Sequence, residues 1–448
     1  MLTDVIAALA TPPGRSAVAV VRVSGRGAHE VASRVLRPFH DDTARTMRRA
    51  RIHHPGSEES LDDVLYVVYH APASYTGEDA VEIFTHGGVL VPVEVVTALL
   101  SAGARAASAG EFTRRAMSNG KLDLLQAEAV GDLIDATAPA QRRAAVSQLD
   151  RGLSQRVNAL RDQVLELETL VSYEIDFPEE DSGPISPQRI DEAIRTLRAS
   201  IDALLETASE GERLREGALV VVAGRPNAGK SSLFNALLGS ERAIVTDIPG
   251  TTRDAIEAHM TCDGFPFRLV DTAGLRITDE PIERLGIEVS RRYLQDADVV
   301  IFCAEAGRPI RGDEEEFMRE VKPRVFVVRT KCDLVDDPAN EPGDELRVSA
   351  VTGDGLGRIK RELAQRAFAG FASEGARVAI LTRERHRLAV VRARNELAAF
   401  VDARTSGLEG AVAAVHLRAA VGALEDVIGL VTTDDVLDRV FQSFCVGK

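Results

Sequence analysis

The stretch Gly224-Arg-Pro-Asn-Ala-Gly-Lys-Ser231 constrains this chain more than any other part of it. It has a glycine, four free positions, then glycine, lysine and a hydroxyl residue, in the context that pattern requires. An apolar run at 219–223 leads into it, and Leu233, Ala236 and Leu237 continue at helical spacing. Glycines let backbone N–H groups curl around an anion, and the start of a helix adds positive potential at the same place. The expected core is therefore a parallel sheet with phosphates bound at the strand ends. Asn227, Ala228, Gly229, Lys230, Ser231 and Ser232 are expected to line the phosphates. Lys230 would reach the β and γ groups, and Ser231 would offer its hydroxyl to Mg²⁺.

Further elements fall at the ends of later apolar runs. Asp271-Thr272-Ala273-Gly274 follows 267–270; its aspartate can support the magnesium shell and Gly274 can turn an N–H toward the γ-phosphate. Thr330-Lys331-Cys-Asp333 follows 325–328. A carboxylate at Asp333 accepts from the ring N–H and exocyclic amine of guanine, so the nucleotide is read as GTP. Many GTPases carry asparagine where Thr330 stands, and a threonine loses the amide's reach, which puts loop rigidity and base affinity in question. Ser349 and Ala350 would complete the base pocket. The position after Gly274, where small GTPases keep a water-orienting glutamine, is Leu275, an aliphatic residue. Either the chain is a slow switch, or the water's positioning and the stabilising charge come from elsewhere. Thr252, in Gly250-Thr-Thr-Arg-Asp254, is the natural second magnesium ligand, and the side-chain oxygen of Asn227 can hold a monovalent cation beside the phosphates.

Around this nucleotide segment the texture changes. With 448 residues, the chain exceeds one ordinary core. Residues 1–118 mix β-rich runs (17–23, 65–69, 80–84) with a helical stretch at 91–100, an α/β pattern. Residues 119–215 turn helical: Leu149, Leu153, Val157, Leu160, Val164, Leu167 and Val171 recur as one stripe, Phe177-Pro178 stops it, and a loop at 179–187 precedes Ile190, Ile194, Leu197, Ile201 and Leu204. Residues 216–375 carry the strand–loop–helix rhythm, and 376–448 are helical again. The expected fold class is multidomain α/β plus all-α: an α/β amino domain, and a helical bundle interrupted by an inserted Ras-like P-loop domain.

Net charge is −15, which excludes holding nucleic acid by bulk charge and demands a local patch. No apolar stretch suits a membrane, and the four scattered cysteines fit neither a zinc site nor a disulfide frame, so a cytoplasmic protein is expected. Only six of 54 basic residues are lysine, namely Lys121, Lys230, Lys322, Lys331, Lys360 and Lys448. A spared lysine marks a place suited to a compact ammonium. His86, His53 and His54 show no carboxylate or cysteine at metal spacing and are read as structural.

Several long segments resemble one family. Ala10-Thr-Pro-Pro-Gly-Arg15, Pro72-Ala-Ser-Tyr-Thr-Gly-Glu-Asp79, His86-Gly-Gly88, Gly110-Glu-Phe-Thr-Arg-Arg115, Asn119-Gly-Lys-Leu-Asp-Leu-Leu-Gln-Ala-Glu-Ala129 and the terminal Phe444-Cys-Val-Gly-Lys448 are similar to the MnmE (TrmE) tRNA-modification GTPases from end to end. The resemblance implies a folate-binding amino domain at 1–118, helical segments at 119–215 and 376–448, and a G domain at 216–375. It implies a homodimer that works with the flavoprotein MnmG, expected as a heterotetramer, to place an aminomethyl-type group on C5 of the tRNA wobble uridine. A 5-formyl- or methylene-tetrahydrofolate would be the one-carbon donor. Folate contacts carried over are Arg22, Glu82, Lys121 and Lys448, with Glu78 close to Glu82. Nucleotide contacts extend over Thr246, Asp247, Ile248, Pro249, Gly250 and Thr251, and K⁺ ligands fall on Asn227, Thr246, Ile248 and Thr251. Glu283 would orient water, acting with Lys230 and Thr252. Cys445 is either a functional thiol or a small apolar residue packing a terminal helix. Arg114, Arg115, Arg142 and Arg143 are candidates for holding tRNA. The competing reading is an Era-type regulatory or ribosome-assembly switch without a modification role.

Overall fold

The computed structural model describes residues 4–176, 187–239, 257–271, 293–321, 325–335, 345–374, 379–430, 434–442 and 444–448. They divide into two compact units: Met1–Gly131 with Glu425–Lys448, and Asp132–Leu424.

In the first unit, β1 (Ile6–Leu9), β2 (Gly14–Ser24), β3 (Leu36–Arg37), β4 (Arg48–His53), β5 (Ser60–Tyr69), β6 (Ala80–Gly88) and β7 (Arg105–Ala106) form a sheet of order β3-β4-β5-β6-β2-β1-β7. β1 and β7 pair in parallel and the other neighbours antiparallel. Period-two alternation sends Val21, Val23, Val64, Tyr66, Val68, Val81 and Ile83 to one face. Helices Ala28–Ser33 and Val91–Ser101 cover that face with Val31, Val95 and Leu99. Each such side chain contributes about 1.5 to 3 kcal/mol by leaving water. Sequence alternation pointed to β2, β5 and β6 but not to β1, β3, β4 or β7. β4 reads Arg-Arg-Ala-Arg-Ile-His, and its few apolar residues hide a strand in which Ala50 and Ile52 are buried.

On the opposite face, Ile6, Ala8 and Ala107 pack on Phe112 of helix Glu111–Ser118. The chain end seats here as well: Ala109 and Val446 form an antiparallel bridge, and Phe112 N donates to Lys448 O at 3.2 Å. Gly447 has φ +100, and a Cβ there would lie 2.3 Å from Leu9 O, so the seat admits only glycine.

In the second unit, β8 (Ala218–Gly224), β9 (Glu257–Cys262), β10 (Phe265–Asp271), β11 (Val299–Glu305), β12 (Val325–Thr330) and β13 (Leu346–Arg347) follow the order β13-β12-β11-β8-β10-β9. All neighbours are parallel except the β9–β10 hairpin. That hairpin turns on Asp263 and Gly264, at φ 49 and 81, the chemistry a two-residue turn requires. The apolar runs of the sequence foretold the parallel strands; β9, a polar edge strand, was not among them. β8 is buried from Ala218 through Ala223, as a central parallel strand must be.

Among the helices of this unit, the stripe beginning at Leu149 belongs to two elements instead of one. Helix Pro139–Leu149 ends, Arg151 takes a left-handed φ of 64, and helix Gly152–Asp176 carries the stripe onward. Leu153, Val157, Leu160, Val164, Leu167 and Val171 are all buried. Pro187–Glu206 and Glu384–Thr405 are further long helices, and Arg404 binds Glu174 at 2.5 and 3.0 Å. The loop expected at 179–187 lies outside the described residues apart from Pro187, which opens a helix. Among the described residues no helix is long and apolar enough to cross a membrane.

Candidate functional site

The glycine-rich loop leaves β8 and enters helix Lys230–Gly239. Gly224, Asn227 and Gly229 have φ of 137, 62 and 81. A Cβ on Gly224 would stand 2.4 Å from Cys303 O, so close packing on β11 fixes that glycine. Asn227 tolerates the left-handed conformation and leaves its amide side chain exposed. Lys230 is 8% exposed and donates to Arg225 O at 2.8 Å, holding its ammonium over the loop. Ser231 and Ser232 are exposed at the helix start. Arg225 is tied outward, donating to Glu314 at 2.9 Å and Asp313 at 2.7 Å. Nothing in the motif singled out that pair of acids.

The loop has a second support. Thr330, at the end of β12 and 3% exposed, donates its hydroxyl to Ala228 O at 2.7 Å. Ala304 O lies 3.3 Å from the same hydroxyl. The shorter side chain thus reaches the phosphate loop directly, through a hydrogen bond to its backbone. Lys331 takes a left-handed φ of 58 and pairs with Glu305 at 3.1 Å, and Asp333 follows in the short helix Cys332–Leu334. Buried Ser349 accepts from Val351 N and Thr352 N at 3.3 and 3.1 Å, shaping the loop that also carries Ala350. Asp271 ends β10 in register with Val222 of β8, so its carboxylate stands at the same edge as the loop. Burial pushes the Cys303 thiol up to about 12, and this cysteine beneath the loop is inert packing. Thr246, Asp247, Ile248, Pro249, Gly250, Thr251, Thr252, Thr272, Ala273, Gly274 and Glu283 lie outside the described residues. The arrangement can bind a nucleotide's phosphates with backbone N–H groups and an ammonium, and a base between Lys331, Asp333 and Ser349.

A second constellation lies on the first unit's sheet. Arg22 of β2 and Glu82 of β6 are register partners, and Arg22 binds one Glu82 oxygen through Nε at 3.0 Å and Nη2 at 2.8 Å. Tyr69 donates to the other Glu82 oxygen at 3.2 Å; burial first, then the Glu82 charge, raises its phenol. The Arg22 guanidinium also reaches Gly447 O at 3.3 Å and lies 5.4 Å from the Tyr75 ring centre and 5.6 Å from that of Phe112. Lys121 donates to Pro72 O at 3.0 Å, on the same loop as Tyr75. Arg22, Glu82 and the backbone of Gly447 therefore converge, Lys448 follows at Phe112, and Lys121 holds the loop that carries Tyr75. Sequence reasoning missed Tyr69, Tyr75 and Phe112, although Tyr75 and Phe112 sit inside motifs it quoted. Glu78 faces elsewhere, accepting from Ser24 at 2.8 Å and pairing with Arg115 at 3.3 Å.

Two expectations change here. Arg115 is 2% exposed and bound to Asp4, Glu78 and Glu111, so it is a structural ion-pair centre and no tRNA contact. Arg114 pairs with Asp438 at 2.7 Å, while Arg142 and Arg143 remain exposed. His86 keeps its structural reading: Asp62, across the β5–β6 pair, lies 2.7 Å from Nδ1 and raises its pKa, and no further ligand group joins them among the described residues. Cys445 is exposed, which removes the reading of it as buried packing; Phe441, 3% exposed, fills that role.

Comparison with known proteins gives a consistent picture. The description "GTP-binding protein TrmE N-terminus" matches residues 5–121, and "MnmE helical domain" matches 124–445. The chain is 41% identical over 466 residues to the tRNA modification GTPase MnmE of Heliobacterium modesticaldum, covering 100% of both. It is 41% identical over 457 residues to the protein of that name from Thermus thermophilus (100% of this chain, 99% of that one) and 38% over 452 residues to that of Aquifex aeolicus (100% of both). Among solved structures, the G domain of the T. maritima FeoB iron transporter is 30% identical over 34% of this chain and 98% of that chain, at a TM-score of 0.25.

Proposed function

Because the chain belongs to the MnmE family of tRNA modification GTPases, we propose that it hydrolyses GTP with potassium stimulation to drive one-carbon modification of the tRNA wobble uridine. That it is a GTP hydrolase acting in tRNA modification follows from the family; the Era-type switch without a modification role is set aside. The finer reading rests on the two constellations. Its single strongest support is the phosphate loop held by Thr330 on one side and Arg225 on the other, with the Asn227 amide exposed on it.

The residues divide the work as follows. Backbone N–H groups of 227–232 hold the phosphates, and Lys230 exchanges its Arg225 carbonyl for phosphate oxygens. Ser231 and Thr252 would hold Mg²⁺, with Asp271 beside them; Asn227, Thr246, Ile248 and Thr251 would hold K⁺. The two cations supply positive charge where negative charge builds during phosphoryl transfer. Glu283 would orient the attacking water in place of the glutamine that Leu275 lacks. Ala273, Thr272 and Gly274 would follow the γ-phosphate, and Asp333 would select guanine.

On the first unit, the cationic and hydrogen-bonding groups around Arg22 suit a folded pterin and an anionic glutamyl tail. Glu82 accepts from ring N–H groups, Arg22 fixes that carboxylate, and Lys121 and Lys448 offer ammonium groups. A tetrahydrofolate supplies the one-carbon unit. The flavoprotein MnmG as partner, a homodimer of this chain, a heterotetramer of the two and exposed Cys445 as a functional thiol complete the proposal. The test is mass spectrometry of tRNA from a deletion strain complemented with the wild-type or Arg22→Met chain. The wild-type chain should restore the modified wobble nucleoside and the variant should not; restoration by both would remove the folate reading.

A further inference from the structure

We propose that His29, His70 and Asp79 form a binding site for a first-row transition-metal dication. One ligand atom from each of the three lies within 4.8 Å of the other two. The residues come from different elements: His29 from helix Ala28–Ser33, His70 just after β5 and Asp79 just before β6.

The surroundings of each donor fit this use. His29 Nε2 lies 3.0 Å from Tyr69 O, and His70 Nε2 lies 2.9 Å from Asp41 O. A backbone carbonyl only accepts, so each of these nitrogens carries the hydrogen and the lone pair of the neutral ring falls on Nδ1. Metal-binding imidazoles are fixed in this way, with the second ring nitrogen donating to a carbonyl that sets tautomer and orientation. The carboxylate follows the same pattern: Asp79 Oδ1 accepts from Ala71 N at 2.9 Å, leaving Oδ2 for an ion. The two rings stand edge to face with centroids 4.9 Å apart, close enough for both to serve one ion. Two imidazoles and a carboxylate suit Zn²⁺, Ni²⁺, Co²⁺ or Cu²⁺ better than Mg²⁺ or Ca²⁺, which prefer all-oxygen shells. His70 is exposed, so water can complete the shell.

An ion here has a structural consequence. His70 and Asp79 stand at the two ends of the β5–β6 loop, whose Pro72 carbonyl receives Lys121 and whose Tyr75 ring faces Arg22. Coordination closes that loop at its neck and fastens it to the first helix, adding to the bond from Gly25 N to Asp79 O at 3.0 Å.

The full-length chain, dialysed against EDTA, is titrated with Co²⁺ while its visible absorption is followed, then with Zn²⁺ in competition. The wild-type and His86→Ala chains should bind one equivalent, and His70→Ala and Asp79→Asn should weaken it at least tenfold. Zn²⁺ should also protect His29 and His70, but not His54, from histidine-selective acylation in the wild-type chain, a readout that needs no variant. Equal Co²⁺ binding by wild type and both site variants, no binding by wild type, or acylation of His29 and His70 unchanged by Zn²⁺ would each overturn the proposal.

Discussion

Thr330 donates its hydroxyl to the carbonyl of Ala228 at 2.7 Å, joining the strand end that should read the base to the loop that should hold the phosphates. A Cβ on Gly229 would lie 3.4 Å from the Thr330 Cβ, so a side chain at 229 would crowd the threonine. Thr330→Val keeps the shape and removes the hydroxyl. One buried hydrogen bond contributes about 0.5 to 1.5 kcal/mol. Fluorescent GDP should therefore bind about two- to twelvefold more weakly. Thr330→Asn should bind at least as well as wild type. Equal affinity in the valine variant would mean that the hydroxyl bond does not shape the loop.

Lys230 is the one buried ammonium over the phosphate loop among the described residues. Removing a preorganised charge from a phosphoryl-transfer site costs about 10² to 10³ in kcat. Lys230→Ala should lose GTP turnover on that scale, measured as phosphate release. Its melting temperature should change little, because its hydrogen bond to Arg225 O lies within the loop. A variant with turnover within threefold of wild type would relocate the catalytic charge.

On the first unit, Arg22 and Glu82 are exposed by only 17% and 21% and share their bond with Tyr69. Tyr69→Phe and Arg22→Met should each weaken binding of 5-formyltetrahydrofolate, the arginine change by tenfold or more. GTP turnover should be unaffected in both. Isothermal titration against the folate measures the first effect, and phosphate release the second.

Arg115 gathers Asp4, Glu78 and Glu111 at 2% exposure, which makes the amino unit's acid stability depend on carboxylates. Hydrogen bonds from Arg105 and then Arg115 hold Asp4 below its ordinary 3.8. Burial alone would raise Glu111, yet Arg105, the Ser108 N–H and Arg115 bring it below 4.5. A carboxylate depressed in the fold stabilises above its unfolded value, and that contribution fades as pH falls through the depressed one. Stability should therefore decline below about pH 4. Arg115→Met removes one of the partners of buried Glu111, which keeps Arg105 and the Ser108 N–H, and should cost about 1 to 3 kcal/mol at pH 7. Denaturation at a series of pH values should show that deficit narrowing as the medium becomes acid. A deficit that grew instead would contradict the ion-pair account.

Much of this was legible in the chain itself, and the reasons differ by residue. The phosphate loop is local: glycines, lysine and hydroxyl act within eight consecutive positions, so spacing alone revealed Lys230 and Ser231. The parallel strands at 219–223 and 299–303 declared themselves because both their faces are buried. Contacts set by register did not. Arg22 and Glu82 are 60 residues apart and meet only because β2 and β6 pair. His86 and Asp62 meet across β5 and β6 in the same way, and no sequence spacing hints at either pair. Arg115 looked like a surface base beside Arg114, yet the helix Glu111–Ser118 turns one inward and the other toward Asp438. Side-chain direction on a short helix depends on what it packs against, which a single sequence does not carry.

The central claim is that a monovalent cation, held partly by Asn227, supplies the charge that Leu275 cannot help to provide. The direct measurement is GTP turnover at equal ionic strength in K⁺, Rb⁺, Na⁺ and Cs⁺, with and without MnmG, for the wild-type and Asn227→Ala chains. The account predicts turnover at least tenfold faster in K⁺ than in Na⁺, and loss of that difference in the variant. Equal rates in K⁺ and Na⁺ for the wild type, with the variant unchanged, would contradict it.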